Sequence, residues 1–117
     1  MRLHLFLAAA LFLGTPALAQ QSMSMTDLKI DAASLEGQEV KVRAVVMTMG
    51  SSVVLTDPNI DFDTSGITAN VDRLPREQRR YIVEECSLGC VMTVSGFVST
   101  VFGVPMLDLT NADTRTS

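Results

Sequence analysis

Two cysteines, a run of oxygen-bearing side chains and two Met-x-Met pairs are the residues of this 117-residue chain whose types and spacing could carry chemistry. Cys86 and Cys90 are the only cysteines and are separated by three residues, with Gly89 among them to let the chain reverse. Closing a loop of five residues stabilises a fold by roughly 2 kcal/mol on chain-entropy grounds, so the pair is expected to form a structural disulfide. A redox dithiol is the sharper alternative. It prefers two intervening residues at a helix N-terminus, whereas Cys86 follows Glu84 and Glu85 at the expected C-terminal end of a helix, where a thiolate is disfavoured.

The loop Asp57-Pro58-Asn59-Ile60-Asp61-Phe62-Asp63 repeats an oxygen ligand every second residue, as calcium loops do, which makes Asp57, Asn59, Asp61 and Asp63 candidate metal ligands. Phe62 stands where an EF-hand turn needs glycine and Thr68 where it needs a bidentate glutamate, so a solvated loop is the plainer expectation. Thioethers bind cuprous copper, and Met23, Met25, Met47 and Met49 form two such pairs. The first pair falls in a polar segment. The second shares one face of a strand, where methionine fills gaps in a core.

What is missing narrows the chemistry further. The single histidine, His4, lies in an N-terminal segment with the three-part plan of a secretory signal: Arg2, an apolar stretch over residues 3–13, helix breakers Gly14 and Pro16, then Ala17-Leu18-Ala19. Cleavage between Ala19 and Gln20 would leave a chain without histidine, excluding Ser-His and Cys-His nucleophile pairs and histidine-built metal sites. A noncatalytic protein needing no cofactor is expected. The apolar stretch is well short of the roughly 20 residues that span a bilayer, so a periplasmic product without a membrane span is expected. Without Arg2 the remainder has eight basic and thirteen acidic residues, and this acidity disfavours nucleic-acid partners.

The elements that must position these residues are mostly strands. Residues 20–27 are polar and read as a disordered leader. Residues 39–49 alternate strictly, with Val40, Val42, Ala44, Val46 and Thr48 on one face and Lys41, Arg43, Val45, Met47 and Met49 on the other. The later half is apolar on both faces, which predicts a long bent strand covered on both sides. Gly50-Ser51-Ser52 turns the chain into a second strand at 53–56, and Ile67, Ala69 and Val71 mark a third. The period then changes: Pro75 opens a helix on which Leu74, Tyr81, Ile82 and Cys86 stack, with Gly89 as a left-handed stop. A fourth strand, 91–98, carries Gly96 as a bulge, a turn is placed at 103–105, and 106–109 is the fifth.

Three strands, a helix and two strands resemble the OB-fold, a five-stranded Greek-key barrel with one helix between strands three and four. In particular the chain is similar to small exported bacterial OB-fold proteins, through Leu35-Glu36-Gly37-Gln38-Glu39-Val40, Leu55-Thr56-Asp57 and Val94-Ser95-Gly96-Phe97-Val98. Together with the residue pattern this gives a signal peptide at 1–19, a leader at 20–27, one barrel domain at 28–111 and a flexible tail at 112–117. The resemblance bears on the fold and not on function; a monomeric binding or structural module of the cell envelope, with an envelope protein or a small ligand as partner, is expected from the export signal and the absence of catalytic groups. Thiol-disulfide or metal handling is the alternative from another class. Binding of single-stranded nucleic acid or oligosaccharide through the barrel face is a third reading; the basic residues Arg73, Arg76, Arg79 and Arg80, interleaved with acids, argue against the nucleic acid.

Overall fold

The computed structural model describes residues 20–114; the signal segment and its cleavage point at Ala19 lie at or outside that boundary, as do residues 115–117. Its elements are β1 (Gln20–Met23), α1 (Met25–Asp31), a 3-10 turn (Ala32–Leu35), β2 (Glu39–Met49), β3 (Ser52–Thr56), β4 (Ile67–Asn70), α2 (Arg76–Glu85), β5 (Cys90–Val101) and β6 (Val104–Asp113). The strands are hydrogen-bonded in the order β1-β2-β3-β4-β6-β5, and β2 also pairs with β5, which closes β2 to β6 into a five-stranded barrel of OB type.

The bend expected in β2 has a visible cause. One edge pairs continuously with β5 from Glu39 to Val46, while the other edge serves two partners in turn: β1 at Glu39 to Val42 and β3 from Val45 onward. Inward residues of every strand form one core, with Val40, Val42, Ala44 and Val46 from β2, Leu55 from β3, Ile67 from β4, Met92 and Val94 from β5, and Leu107 and Leu109 from β6. Ile82 and Cys86 of α2 join it, as does Leu74 just before that helix. Gln78 fastens α2 to β6, donating to Asn111 Oδ1 at 3.0 Å and accepting from the Ala112 N–H at 2.8 Å.

Residues 20–27 are ordered, contrary to the leader expected there. Ser24 caps α1 by accepting from the Asp27 N–H at 3.1 Å, and Met25, Leu28 and Ala32 form a helical stripe buried in the core. The polar side chains of β1 hide the pairing because a parallel strand is held by backbone groups that composition does not report. The C-terminal boundary also moves. Ala112, expected in a flexible tail, is buried, and β6 continues to Asp113. Its start is earlier too, since Val104 already pairs with Val101 and the turn is made by Phe102 and Gly103.

Gly96 sits at the register shift between Ser95 and Gly96, where a Cβ would come within 2.5 Å of the Asp108 carbonyl oxygen. Only glycine permits that approach, so the bulge expected there is present. Gly89 has φ +100, the left-handed conformation that turns the chain from α2 into β5.

Candidate functional site

Alternation along the strands sends every second side chain outward, and on one side of the barrel these outward residues meet no covering element. Register places Met47, Val54, Thr68 and Met106 in a single cross-strand row over β2, β3, β4 and β6. Neighbouring rows carry Met49 beside Ser52, Asn70 beside Asp108, and Val45 beside Thr56. Met47, Val54 and Met106 are half-buried, Thr68 is exposed, and Met49 is 58% exposed. Cover on both sides of β2, expected from its two-sided apolarity, is therefore only partial over this half of the strand: the acidic loop and the turn at Gly89 border Val45 and Met47, and Met49 stands open. Met47 and Met49 fill no core gap. Unbranched thioether side chains on an open surface adapt to differently shaped partners, which is how methionine serves binding surfaces elsewhere.

Two turns flank this face. Ser51 and Ser52 line, with Thr68, Asn70, Val71, Asp72 and Met106, a cavity of about 350 Å³ that is polar and apolar in equal part. At the β5–β6 turn Phe102 is fully exposed with φ +54, between exposed Val101 and Val104. An aromatic side chain in left-handed backbone is uncommon and costs on the order of 1 kcal/mol. Arg73 reaches Asp108 at 3.4 Å, but Arg73 is largely exposed, so the pair contributes little.

The acidic loop closes the face at its other end, and the carboxylates of Asp57 and Asp63 are already engaged. Asp57, buried, accepts from Thr26 Oγ1 at 3.2 Å and from the Asn59 N–H at 2.9 Å. Asp63 Oδ2 accepts from Lys29 Nζ at 2.7 Å and from the Asp57 N–H at 2.9 Å, while its Oδ1 accepts from the N–H and hydroxyl of Ser65, each at 2.9 Å. The Lys29 ammonium first, and then these N–H donors, hold the Asp63 carboxyl well below the usual carboxylate range. The four candidate metal ligands do not converge: a lysine of α1 takes the place a cation would have at Asp63, and no cluster of three or more acidic, cysteine or histidine side chains suited to a metal occurs among the described residues. The copper pairs separate likewise, with Met25 in the core and Met47 and Met49 on the outer face.

Cys86 and Cys90 form the expected disulfide, Cα to Cα 5.2 Å, joining the end of α2 to the start of β5. Cys86 is fully buried, which suits a staple and shields it from an attacking thiol.

The outward methionines were within reach of sequence reasoning. A strand apolar on both faces, with methionine confined to one of them, is a signal that separates a packed face from an adaptable one. The contact of Lys29 with Asp63 carried no such signal.

Among solved structures the chain is similar to an OBody bound to hen egg-white lysozyme, an OB-fold-based protein, with a TM-score of 0.52 and 14% identity, covering 68% of this chain and 80% of that one. At that identity the likeness bears on the fold alone. No family model matches the sequence, and no curated protein matches it.

Proposed function

We propose that this chain is a noncatalytic binding module, exported to the periplasm, that takes its ligand on the outer face of β2, β3, β4 and β6. The observation that carries the reading is the cross-strand row Met47, Val54, Thr68 and Met106, apolar apart from one hydroxyl and covered by no strand or helix. OB barrels bind on the face of their second and third strands, flanked by the turns joining strands one to two and four to five. Here those strands are β3 and β4, and the flanking turns hold Ser51 and Phe102. The OBody is named as bound to a protein, which supports a barrel of this kind as a docking platform. Export is supported by the secretory plan of residues 1–19 and by the disulfide, which persists in oxidising compartments.

The row has no aromatic or cationic member, so base stacking and phosphate attraction are absent from it and a peptide, protein, glycan or neutral small molecule fits better than nucleic acid. The test is a photo-crosslinking amino acid placed at Thr68 and, separately, at exposed Glu77 on α2, in the envelope of an expressing cell. Reproducible adducts from position 68 that are missing from position 77 are expected. Equal capture from both positions, or none from 68, would remove the reading.

A further inference from the structure

The outer face ends, beside the acidic loop, in a second pocket of different chemistry. Val45 and Met47 make its floor, and Pro58, Ile60, Asp61 and Phe62 line its side, around a cavity of about 320 Å³. The disulfide loop borders the same floor, because a Cβ on Gly89 would lie 3.0 Å from Val45 Cγ1 and 3.6 Å from Met47 Cε. Phe62 is 95% exposed and Ile60 48% exposed, although polar side chains would satisfy a surface loop at less cost.

The loop that presents them is built in advance. Asp57 and Asp63 tie it through the N–H groups of Asp57, Asn59, Ile60 and Ser65, and Thr26 and Lys29 anchor it to α1. Little ordering is left for a partner to impose, which favours binding. The charge around the pocket is one-sided. Asp57 is buried and Asp63 is met by Lys29, which leaves exposed Asp61, with no ion pair among the described residues, as the carboxylate open to a partner.

We infer that this pocket docks a peptide segment in which an apolar side chain stands beside a lysine or arginine, the apolar group seated on Val45 and Met47 against Phe62 and the cation next to Asp61. The inference rests on the reading of the outer face as the ligand surface and names the partner class for one end of it.

The probe is an end-blocked pentapeptide GKFKG, titrated into the 15N-labelled exported chain, with GEFEG and GKSKG as comparators. Saturable amide shifts at Val45, Met47, Ile60 and Phe62 are expected from GKFKG, with binding at least about fivefold weaker for either comparator. Asp61→Asn should weaken GKFKG about two- to fivefold, in line with one exposed charge pair. Phe62→Gly should abolish the shifts without lowering the thermal midpoint, since glycine accepts φ +56 without strain. Silence from GKFKG, equal binding of GEFEG or GKSKG, or shifts confined to other surfaces would each overturn the inference. If crosslinking from Thr68 succeeds while GKFKG is silent, the peptide class fails and the binding face stands. If crosslinking also fails, the face itself has failed.

Discussion

Over its later half the two faces of β2 carry similarly apolar residues and lead different lives. Val40, Val42, Ala44 and Val46 point inward and are at most 1% exposed, whereas outward Val45 and Met47 are half-buried and Met49, next to the β2–β3 turn, is exposed. Apolar character is thus no guide to which face holds the molecule together. What separates them is shape: inward, β-branched side chains and alanine are stiff and closely fitted, whereas outward, past Val45, the strand carries the flexible thioethers of Met47 and Met49. The comparison assigns stability to one face and recognition to the other, and the two can be broken separately.

The largest effect should come from the inner face. Leu55→Ala, at a fully buried position opposite Val46, is expected to cost about 2–5 kcal/mol, through lost burial and the cavity left behind. Urea unfolding should show a lower midpoint with an unchanged slope. A loss under about 1 kcal/mol would mean that the barrel interior is loosely packed and the contrast between faces overstated.

Next comes the staple at the edge of the outer face. Cys90→Ser opens the five-residue loop and should cost about 2 kcal/mol. The same loss should follow treatment of the unmodified chain with a strong reductant. Should mild thiol buffers open the bridge rapidly, the thiol-exchange alternative would regain ground.

Within the acidic loop, Asp63 ties stability to pH. Because the fold depresses the Asp63 carboxyl, the ionised form is the one folding favours. Its contribution is complete above the ordinary aspartate range near pH 4 and is lost as the pH falls below it. Asp63→Asn, which removes the charge that Lys29 meets at 2.7 Å, should cost about 1–3 kcal/mol at pH 7. Comparing urea midpoints at pH 7 and pH 3 checks the sign: the variant should lose less stability on acidification than the parent chain. An identical acid response would detach Asp63 from the stability of the loop.

These contrasts also mark how far the amino-acid pattern carries. The five barrel strands, α2 with Leu74, Ile82 and Cys86 inward, the bulge at Gly96 and the left-handed Gly89 all rest on interactions local in sequence or on strict periodicity, and all are found. Where the pattern misleads, the deciding contact is distant or made by the backbone. β1 exists because β3 leaves an edge of β2 vacant, and α1 is fixed by Thr26 and Lys29 reaching a loop 31 and 34 residues away. The candidate face suffered differently, since its residues were placed on the correct side of β2 and only the cover above them was less than expected.

The smallest effect is the most telling for function. Met49 is 58% exposed at the end of β2, so Met49→Thr removes little buried area and introduces a residue at ease in strands. Stability should stay within about 0.5 kcal/mol of the parent, as for surface substitutions generally. If the outer face recognises a partner through its methionines, the same change should nonetheless lower the yield of adducts from a crosslinker at Thr68, which shares that face. A substitution silent in unfolding but visible in capture can act only through the surface it alters. If both readouts stay unchanged, recognition must lie further from the β2–β3 turn, toward Thr56 and the acidic loop.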